Sequence, residues 1–263
     1  MDLGLSGKVA IVTGGSEGIG KAAAISLGQE GAKVAICART QETLDRAAEE
    51  IYTYSHSDIL TVSADVTDLT QISGVVEKTL SKFGRLDIIV NNAGTSAGSN
   101  FEVVDDEAWH YDMDLKFYAA IRFSRIAIPH MKAVGGGRII NVTNLGGKQP
   151  GANSVPTSVT RAAGIALTKA LSKDLAKHNI LVNTVCIGLI KAGQHERRAA
   201  QMQQENPLLT LAKFYEQRAQ NIPLGRVGEA REAGDVICFL ASERASYLTG
   251  TAINIDGGTS GAI

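Results

Sequence analysis

The chain has 263 residues, of which 44% are hydrophobic and 28 are glycine, a composition typical of a globular protein rather than a disordered or repetitive one. Its 26 basic and 27 acidic residues leave a formal net charge of −1, which gives no electrostatic reason to expect a nucleic acid or a membrane surface as partner. A small-molecule ligand is therefore favoured. The sequence shows no targeting segment and no apolar run of about 18 residues, so we expect a cytoplasmic protein.

Seven apolar segments recur along the chain, and each is a predicted strand: 8–14, 33–39, 59–65, 86–94, 137–144, 180–188 and 252–258. They lack polar alternation, which is typical of parallel strands that are covered on both faces. Helical patterns lie between them. This alternation predicts an α/β fold over residues 1–263, with a single-domain, doubly wound (Rossmann-type) seven-stranded parallel sheet.

The first turn of this pattern is rich in glycine. The segment TGGSEGIG (13–20) follows the first predicted strand and opens a helix, so Gly14, Gly18 and Gly20 lie where the chain turns sharply. Glycines allow the backbone to approach a pyrophosphate, and the N-terminus of the helix offers free N–H groups to hold it. The turn therefore predicts dinucleotide binding.

The end of the second predicted strand bears on the choice of cofactor. A carboxylate at this place would bind a ribose 2′-hydroxyl, whereas a cation would bind a 2′-phosphate. The chain has Arg39 here, which favours NADP(H). Glu17 would repel a 2′-phosphate if it pointed inward, so NAD(H) is possible.

Residues 189–227 form the one long irregular region, with one or two loosely amphipathic helices. An insertion after a late strand can cover the ligand crevice, and we interpret it as a substrate lid. A static excursion or a subunit contact is the alternative. Lys191 and His195, at its start, are candidates for proton transfer or anion binding, although a solvated surface would also explain them.

Several motifs resemble the short-chain dehydrogenase/reductase family, and the likeness spans almost the whole chain. They are the GxxxGxG spacing, DV (65–66), NNAG (91–94), RIINVT (138–143) and INIDGG (253–258). The resemblance implies that Asp65 and Val66 hold the adenine and that Asn92, Ala93 and Gly94 lie under the adenosine ribose. The cofactor-binding residues that it implies are Gly14, Ser16, Glu17, Gly18, Ile19, Gly20, Arg39, Asp65, Val66, Asn92, Ala93, Gly94, Arg161, Gly188 and Ile190.

The catalytic positions differ from those of the family, whose usual members carry Asn, Ser, Tyr and Lys. By resemblance these positions fall on Asp114, Asn144, Thr157 and Arg161. An aliphatic alcohol is far too weak an acid to replace a phenol, so Thr157 cannot simply stand in for the tyrosine. Arg161 can position a ligand but is a poor proton relay, and we expect Asp114 to form an ion pair with it.

The residues leave three functions open. The first is an NADP(H)-dependent oxidoreductase acting on an unknown carbonyl or alcohol, with atypical catalytic residues. The second is a lyase, hydrolase or isomerase that uses the same crevice, and the third is a nucleotide-binding pseudoenzyme. The resemblance also implies a homotetramer or homodimer, and no cluster of residues predicts a metal site.

Overall fold

Seven strands form one parallel sheet in the computed structural model, which describes residues 1–263. The strands are β1 (Val9–Thr13), β2 (Lys33–Ala38), β3 (Ile59–Ser63), β4 (Ile88–Asn91), β5 (Gly137–Asn144), β6 (Ile180–Ile187) and β7 (Ala252–Ile255). Their order across the sheet is β3-β2-β1-β4-β5-β6-β7. The predicted doubly wound α/β architecture is confirmed.

Nine α-helices flank the sheet. They are α1 (Gly18–Gln29), α2 (Gln41–Ser55), α3 (Leu69–Phe83), α4 (Asp106–Met113), α5 (Ala119–Ala133), α6 (Thr157–Leu175), α7 (Gly193–Glu205), α8 (Leu211–Ala219) and α9 (Ala230–Ala241). A π-helical turn, Asp114–Tyr118, joins α4 to α5. No helix combines the length and the apolar character that crossing a membrane would require.

Both faces of the sheet are buried. Along β1, Ala10 and Val12 belong to a cluster of 24 buried residues, whereas Ile11 belongs to a second cluster of 19 on the opposite face. Successive side chains of a strand point to opposite faces, so a strand buried on both sides must be apolar at every position. This explains the unbroken apolar runs. Helices α1, α2 and α9 cover the first face, and α3, α5 and α6 contribute to the second.

The strand order places a crevice at the carboxyl ends of β1 and β4. The chain moves outward from β1 through β2 to β3, and then returns to pair β4 with the other side of β1. The loops that leave these two strands diverge to opposite faces, which opens a space where ligands of doubly wound sheets bind.

The segment between β6 and α9 contains the two helices α7 and α8, as predicted for residues 189–227. They pack on each other through a small cluster of three buried residues, Ala199, Leu209 and Phe214, which is separate from the two large clusters. Its proposed role as a lid stays a prediction.

Candidate functional site

The glycine-rich turn takes a shape that side chains would prevent. Gly14 and Gly18 have φ angles of 64° and 53°, in the left-handed region that favours glycine. A Cβ atom on Gly20 would lie 2.2 Å from the carbonyl oxygen of Gly14, so the first turn of α1 packs directly on the loop. The residue before α1, Glu17, does not cap the helix with its side chain, and the first N–H groups stay free for an anion.

Thr13 and Asn92 hold the ends of β1 and β4 together beside this turn. The hydroxyl of Thr13 accepts hydrogen bonds from the N–H groups of Asn92 and Ala93, each at 2.9 Å. The amide of Asn92 donates to the carbonyl oxygens of Thr13 at 2.9 Å and Gly14 at 3.1 Å. The floor of the crevice is therefore fixed by hydrogen bonds between the two strand ends.

One cavity of about 670 Å³ extends from the glycine-rich turn across the carboxyl edge of the sheet. Most of the predicted cofactor residues line it: Gly14, Ser16, Glu17, Gly18, Ile19, Arg39, Asp65, Val66, Asn92, Ala93, Gly94, Arg161 and Gly188. Of the four predicted catalytic residues, Asn144 and Arg161 line it as well. The structure thus brings the two halves of the predicted site into one space.

Two predicted cofactor residues do not line the cavity. Gly20 is buried beneath it and packs against Gly14 and Asn92. The side chain of Ile190 is part of the core, although neither its N–H nor its C=O has a hydrogen-bonding partner in the protein. The backbone of Ile190 therefore keeps its hydrogen-bonding capacity.

Three charged residues, Glu17, Arg39 and Asp65, lie at the end of the cavity where the sequence predicts the adenosine, and they differ in their partners. Glu17 forms an ion pair with Arg197 of α7 at 2.9 Å, and this pairing offsets the charge that would repel a 2′-phosphate. Arg39 is exposed and has no carboxylate within 4.0 Å. Asp65 uses one carboxylate oxygen to accept hydrogen bonds from Thr67 and has no partner for the other.

The prediction of an ion pair between Asp114 and Arg161 is wrong. Asp114 pairs with Arg122, at 3.0 Å, on the outer side of the helix. Arg161 instead donates a hydrogen bond to the carbonyl oxygen of Val142 at 2.7 Å, and its nearby carboxylate is that of Asp112. Two residues along a helix correspond to a rotation of about 200°, so Asp112 and Asp114 point in nearly opposite directions.

A buried charged cluster occupies the place that the sequence assigned to Thr157. Lys116 forms an ion pair with Asp112, and both side chains are almost fully buried. Its ammonium group also donates a hydrogen bond to the hydroxyl of Thr157 at 2.9 Å. That hydroxyl accepts a second hydrogen bond, from the N–H of Ala97 at 3.0 Å. Thr157 therefore organises the cluster behind the cavity and does not line the cavity itself.

Burial changes the acidity of the two cations. It lowers the pKa of Lys116 to about 8, and the positive charge of Arg161 lowers it further, against the opposite effect of Asp112. Burial also lowers the pKa of Arg161 to about 10, again against the effect of the Asp112 carboxylate. With one carboxylate and two cations, the cluster carries a net positive charge below pH of about 8.

Polar atoms of the cluster and of Asn144 are left without partners. Three buried atoms form no hydrogen bond: Nε of Arg161, Oδ1 of Asn144 and Oδ2 of Asp112. Gly94 separates Lys116 from the crevice, because a Cβ on it would lie 2.8 Å from the Arg161 guanidinium and 3.3 Å from the Lys116 side chain. Arg161 and Asn144, which both line the cavity, thus each keep a polar atom that no protein group satisfies.

Sequence reasoning missed Asp112 and Lys116. Their signal was the spacing of four residues in DMDLK (112–116), which places a carboxylate and an ammonium group on one side of a helix. The resemblance to the family instead assigned the asparagine position to Asp114, which lies between these two residues.

Comparisons with known proteins agree with this fold. A family model described as enoyl-(acyl carrier protein) reductase matches residues 14–260. The chain is 34% identical to the 3-oxoacyl-[acyl-carrier-protein] reductase of Thermotoga maritima over 97% of this chain and 98% of that protein.

Two solved structures are similar over nearly the full length. The L-sorbose reductase of Gluconobacter frateurii, in complex with NADPH and L-sorbose, has a TM-score of 0.96 at 35% identity, with 100% of both chains covered. A short chain oxidoreductase of Pseudomonas aeruginosa PAO1, which contains an atypical catalytic center and has NADPH bound, has a TM-score of 0.90 at 36% identity, with 99% of both chains covered.

Proposed function

This chain belongs to the short-chain dehydrogenase/reductase family, and on that basis we propose that it is an NADP(H)-dependent oxidoreductase that interconverts a carbonyl compound and an alcohol. The proposal assigns the reacting carbonyl to Arg161 and Asn144, in place of the tyrosine and serine of usual members. The other residues that line the cavity hold the cofactor, and the buried pair of Lys116 and Asp112 determines the charge next to Arg161.

The observation that carries the proposal is the continuity of the cavity. The same space is lined by the glycine-rich turn and by Arg161. Arg161 Nε and Asn144 Oδ1 are unpartnered atoms of residues that line it, and the unpartnered backbone of Ile190 adjoins the lining residue Leu189. These groups match the hydroxyl and carboxamide groups of a nicotinamide riboside. The residues present therefore fit a nicotinamide dinucleotide.

NADP(H) is favoured over NAD(H) by the charges at the adenosine end. Arg39 has no competing carboxylate, and Glu17 is engaged by Arg197. The Gluconobacter and Pseudomonas relatives were both solved with NADPH. A fluorescence titration should show tighter binding of NADPH than of NADH, and Arg39→Gln should remove the difference. Equal binding of the two cofactors by the unaltered protein would contradict this choice.

The cofactor, when bound, supplies or accepts the hydride. The guanidinium of Arg161 polarises the substrate carbonyl and stabilises the negative charge that develops on its oxygen, a contribution worth roughly 100-fold to 1,000-fold for one well-placed donor. The amide of Asn144 orients the same group. Thr157 keeps its hydroxyl bonded to Lys116 and Ala97, so the proton that neutralises the alkoxide comes from water in the open crevice.

Lys116 acts through Arg161 rather than on the substrate. Its side chain packs against Gly94, and its ammonium group adds positive charge to the cluster at neutral pH. When pH rises above about 8, Lys116 loses its proton and the cluster becomes neutral, with less stabilisation of an alkoxide. Carbonyl reduction should therefore slow at high pH.

A panel of aldehydes and ketones, read at the nicotinamide absorbance, tests the proposed activity. L-Sorbose and other hydroxyketones belong in it because the Gluconobacter relative acts on L-sorbose. Arg161→Gln should reduce kcat/KM about 100-fold or more on any substrate that is turned over.

Asp114→Asn is the matched control, because Asp114 points away from the cavity and pairs with Arg122. Its activity should stay within about twofold of the unaltered protein, as for most surface substitutions. Equal losses in the two variants, or turnover without cofactor oxidation, would refute the assignment.

A further inference from the structure

We propose that the substrate carries an anionic group, a carboxylate or a phosphate, which binds to a cationic cluster of His195, Arg198 and Arg218 on helices α7 and α8. This inference rests on the proposed oxidoreductase activity and names the substrate class for it. The carbonyl would lie at Arg161 and the anion at the cluster. His195 lines the same cavity as Arg161, and Arg198 and Arg218 lie near His195, outside that lining.

The packing of α7 on α8 brings the three cations together. Ala199 of α7 and Phe214 of α8 are buried against each other, and the short loop 206–210 turns the chain back between the two helices. His195 lies one helical turn before Ala199, and Arg218 lies one turn after Phe214. In a helical hairpin these two positions meet at the same end, where His195 lines the cavity. Arg198 follows His195 by three residues on the same side of α7.

Arg218 is held in a defined direction. Its guanidinium lies over the ring of Phe214, 4.5 Å from the ring centroid, and the side chain is partly buried. Because Phe214 is itself part of the small core of the segment, this stacking restricts the arginine and reduces the entropy lost on binding an anion.

The cluster lacks the carboxylates that neutralise other cations of the segment. Three ion pairs fix those cations: Lys191 with Glu229, Arg197 with Glu17, and Arg226 with Glu232. Arg198 and Arg218, in contrast, have no carboxylate oxygen within 4.0 Å. Burial and then the charges of Arg218 and Arg198 lower the pKa of His195, and burial and then Arg198 lower that of Arg218. An anion between these groups would remove this repulsion.

Pairs of carbonyl compounds that differ in one anionic group test the proposal. The first pair is 4-oxopentanoate and its methyl ester, and the second is dihydroxyacetone phosphate and dihydroxyacetone. For at least one pair, the unaltered protein should show a kcat/KM higher by about tenfold or more for the charged member, the effect of a charge-assisted hydrogen bond. The pair with the larger ratio identifies the anion as a carboxylate or a phosphate.

Arg218→Gln should reduce that ratio to near one. Lys213→Gln is the matched control, because Lys213 is an exposed cation on the same helix that lies outside the cluster of His195, Arg198 and Arg218, and it should leave the ratio unchanged. A ratio near one in the unaltered protein, or a ratio that survives Arg218→Gln, would overturn the anion site.

A binding measurement separates this proposal from the proposed activity. Calorimetric titration of the NADPH-saturated protein with 4-oxopentanoate or dihydroxyacetone phosphate requires no turnover. If no carbonyl is reduced but one anion binds and Arg218→Gln abolishes the binding, the oxidoreductase fails and the anion site stands. If carbonyls are reduced and neither anion binds more tightly than its neutral partner, the anion site fails alone.

Discussion

Replacement of the buried Lys116 by glutamine should change how the stability of the protein depends on pH. Glutamine keeps a hydrogen-bond donor beside Asp112 and Thr157 but carries no charge. In the folded protein the pKa of Lys116 is lowered from 10.5 to about 8. In the unfolded chain the lysine is in water and keeps its ordinary value, so between these two pH values only the unfolded state holds the proton.

The sign and size of the effect follow from this difference. Below pH of about 8 both states are protonated, and the folded state bears the full cost of a charged, buried lysine. As pH rises toward 10.5, the folded protein has already released its proton, and the free energy of unfolding increases. Each pH unit is worth about 1.4 kcal/mol, so the shift sets an upper limit of about 3 kcal/mol for the gain.

Urea denaturation at half-unit steps between pH 7 and 10 measures this gain. The free energy of unfolding of the unaltered protein, minus that of Lys116→Gln, should rise by about 1.4 kcal/mol per pH unit above pH 8. Lys213→Gln, on an exposed helix surface, should give a curve parallel to that of the unaltered protein. Parallel curves for Lys116→Gln would refute the reasoning, and a falling difference would mean that Asp112 outweighs burial and raises the pKa.

Three further changes are predictable. Gly20→Ala should weaken NADPH binding in a fluorescence titration by about tenfold or more, because the new Cβ would collide with the carbonyl of Gly14. The control is Gly74→Ala, where the new Cβ on α3 meets open space. It should leave NADPH binding unchanged and raise the free energy of unfolding by up to about 1 kcal/mol. Reductase activity should fall above pH of about 8, and Lys116→Gln should remove that fall in the pH–rate profile. If the family's tetramer forms through α5 and α6, Val159→Arg, on the exposed side of α6, should elute as a smaller species; an unchanged elution volume would exclude this surface.

The sheet and the glycine-rich turn could be predicted from sequence because their causes are local. A strand covered on both faces must be apolar at every position, so seven apolar runs indicated seven strands. Likewise, glycine is strongly favoured at a turn such as Gly14, where φ is positive and the next helix packs against the backbone.

The charged cluster could not be predicted in the same way, because alignment locates a position without giving the direction of its side chain. Asp114 occupies the family's asparagine position, yet its side chain pairs with Arg122 on the outer surface. Lys116 and Asp112 are only four residues apart, but their contact with Thr157 depends on packing against α6, which is distant in sequence. Contacts of this kind depend on tertiary structure.

The small core of α7 and α8 has a consequence for motion. Only Ala199, Leu209 and Phe214 are buried in it, so detaching the pair exposes little apolar surface and leaves both large clusters of the sheet intact. Amide hydrogens of residues 193–219 should accordingly exchange with deuterium long before those of β1 and β5, through a local opening that needs no global unfolding. Movement of the pair would then be governed by the free energy of that local opening, independently of the stability of the protein as a whole.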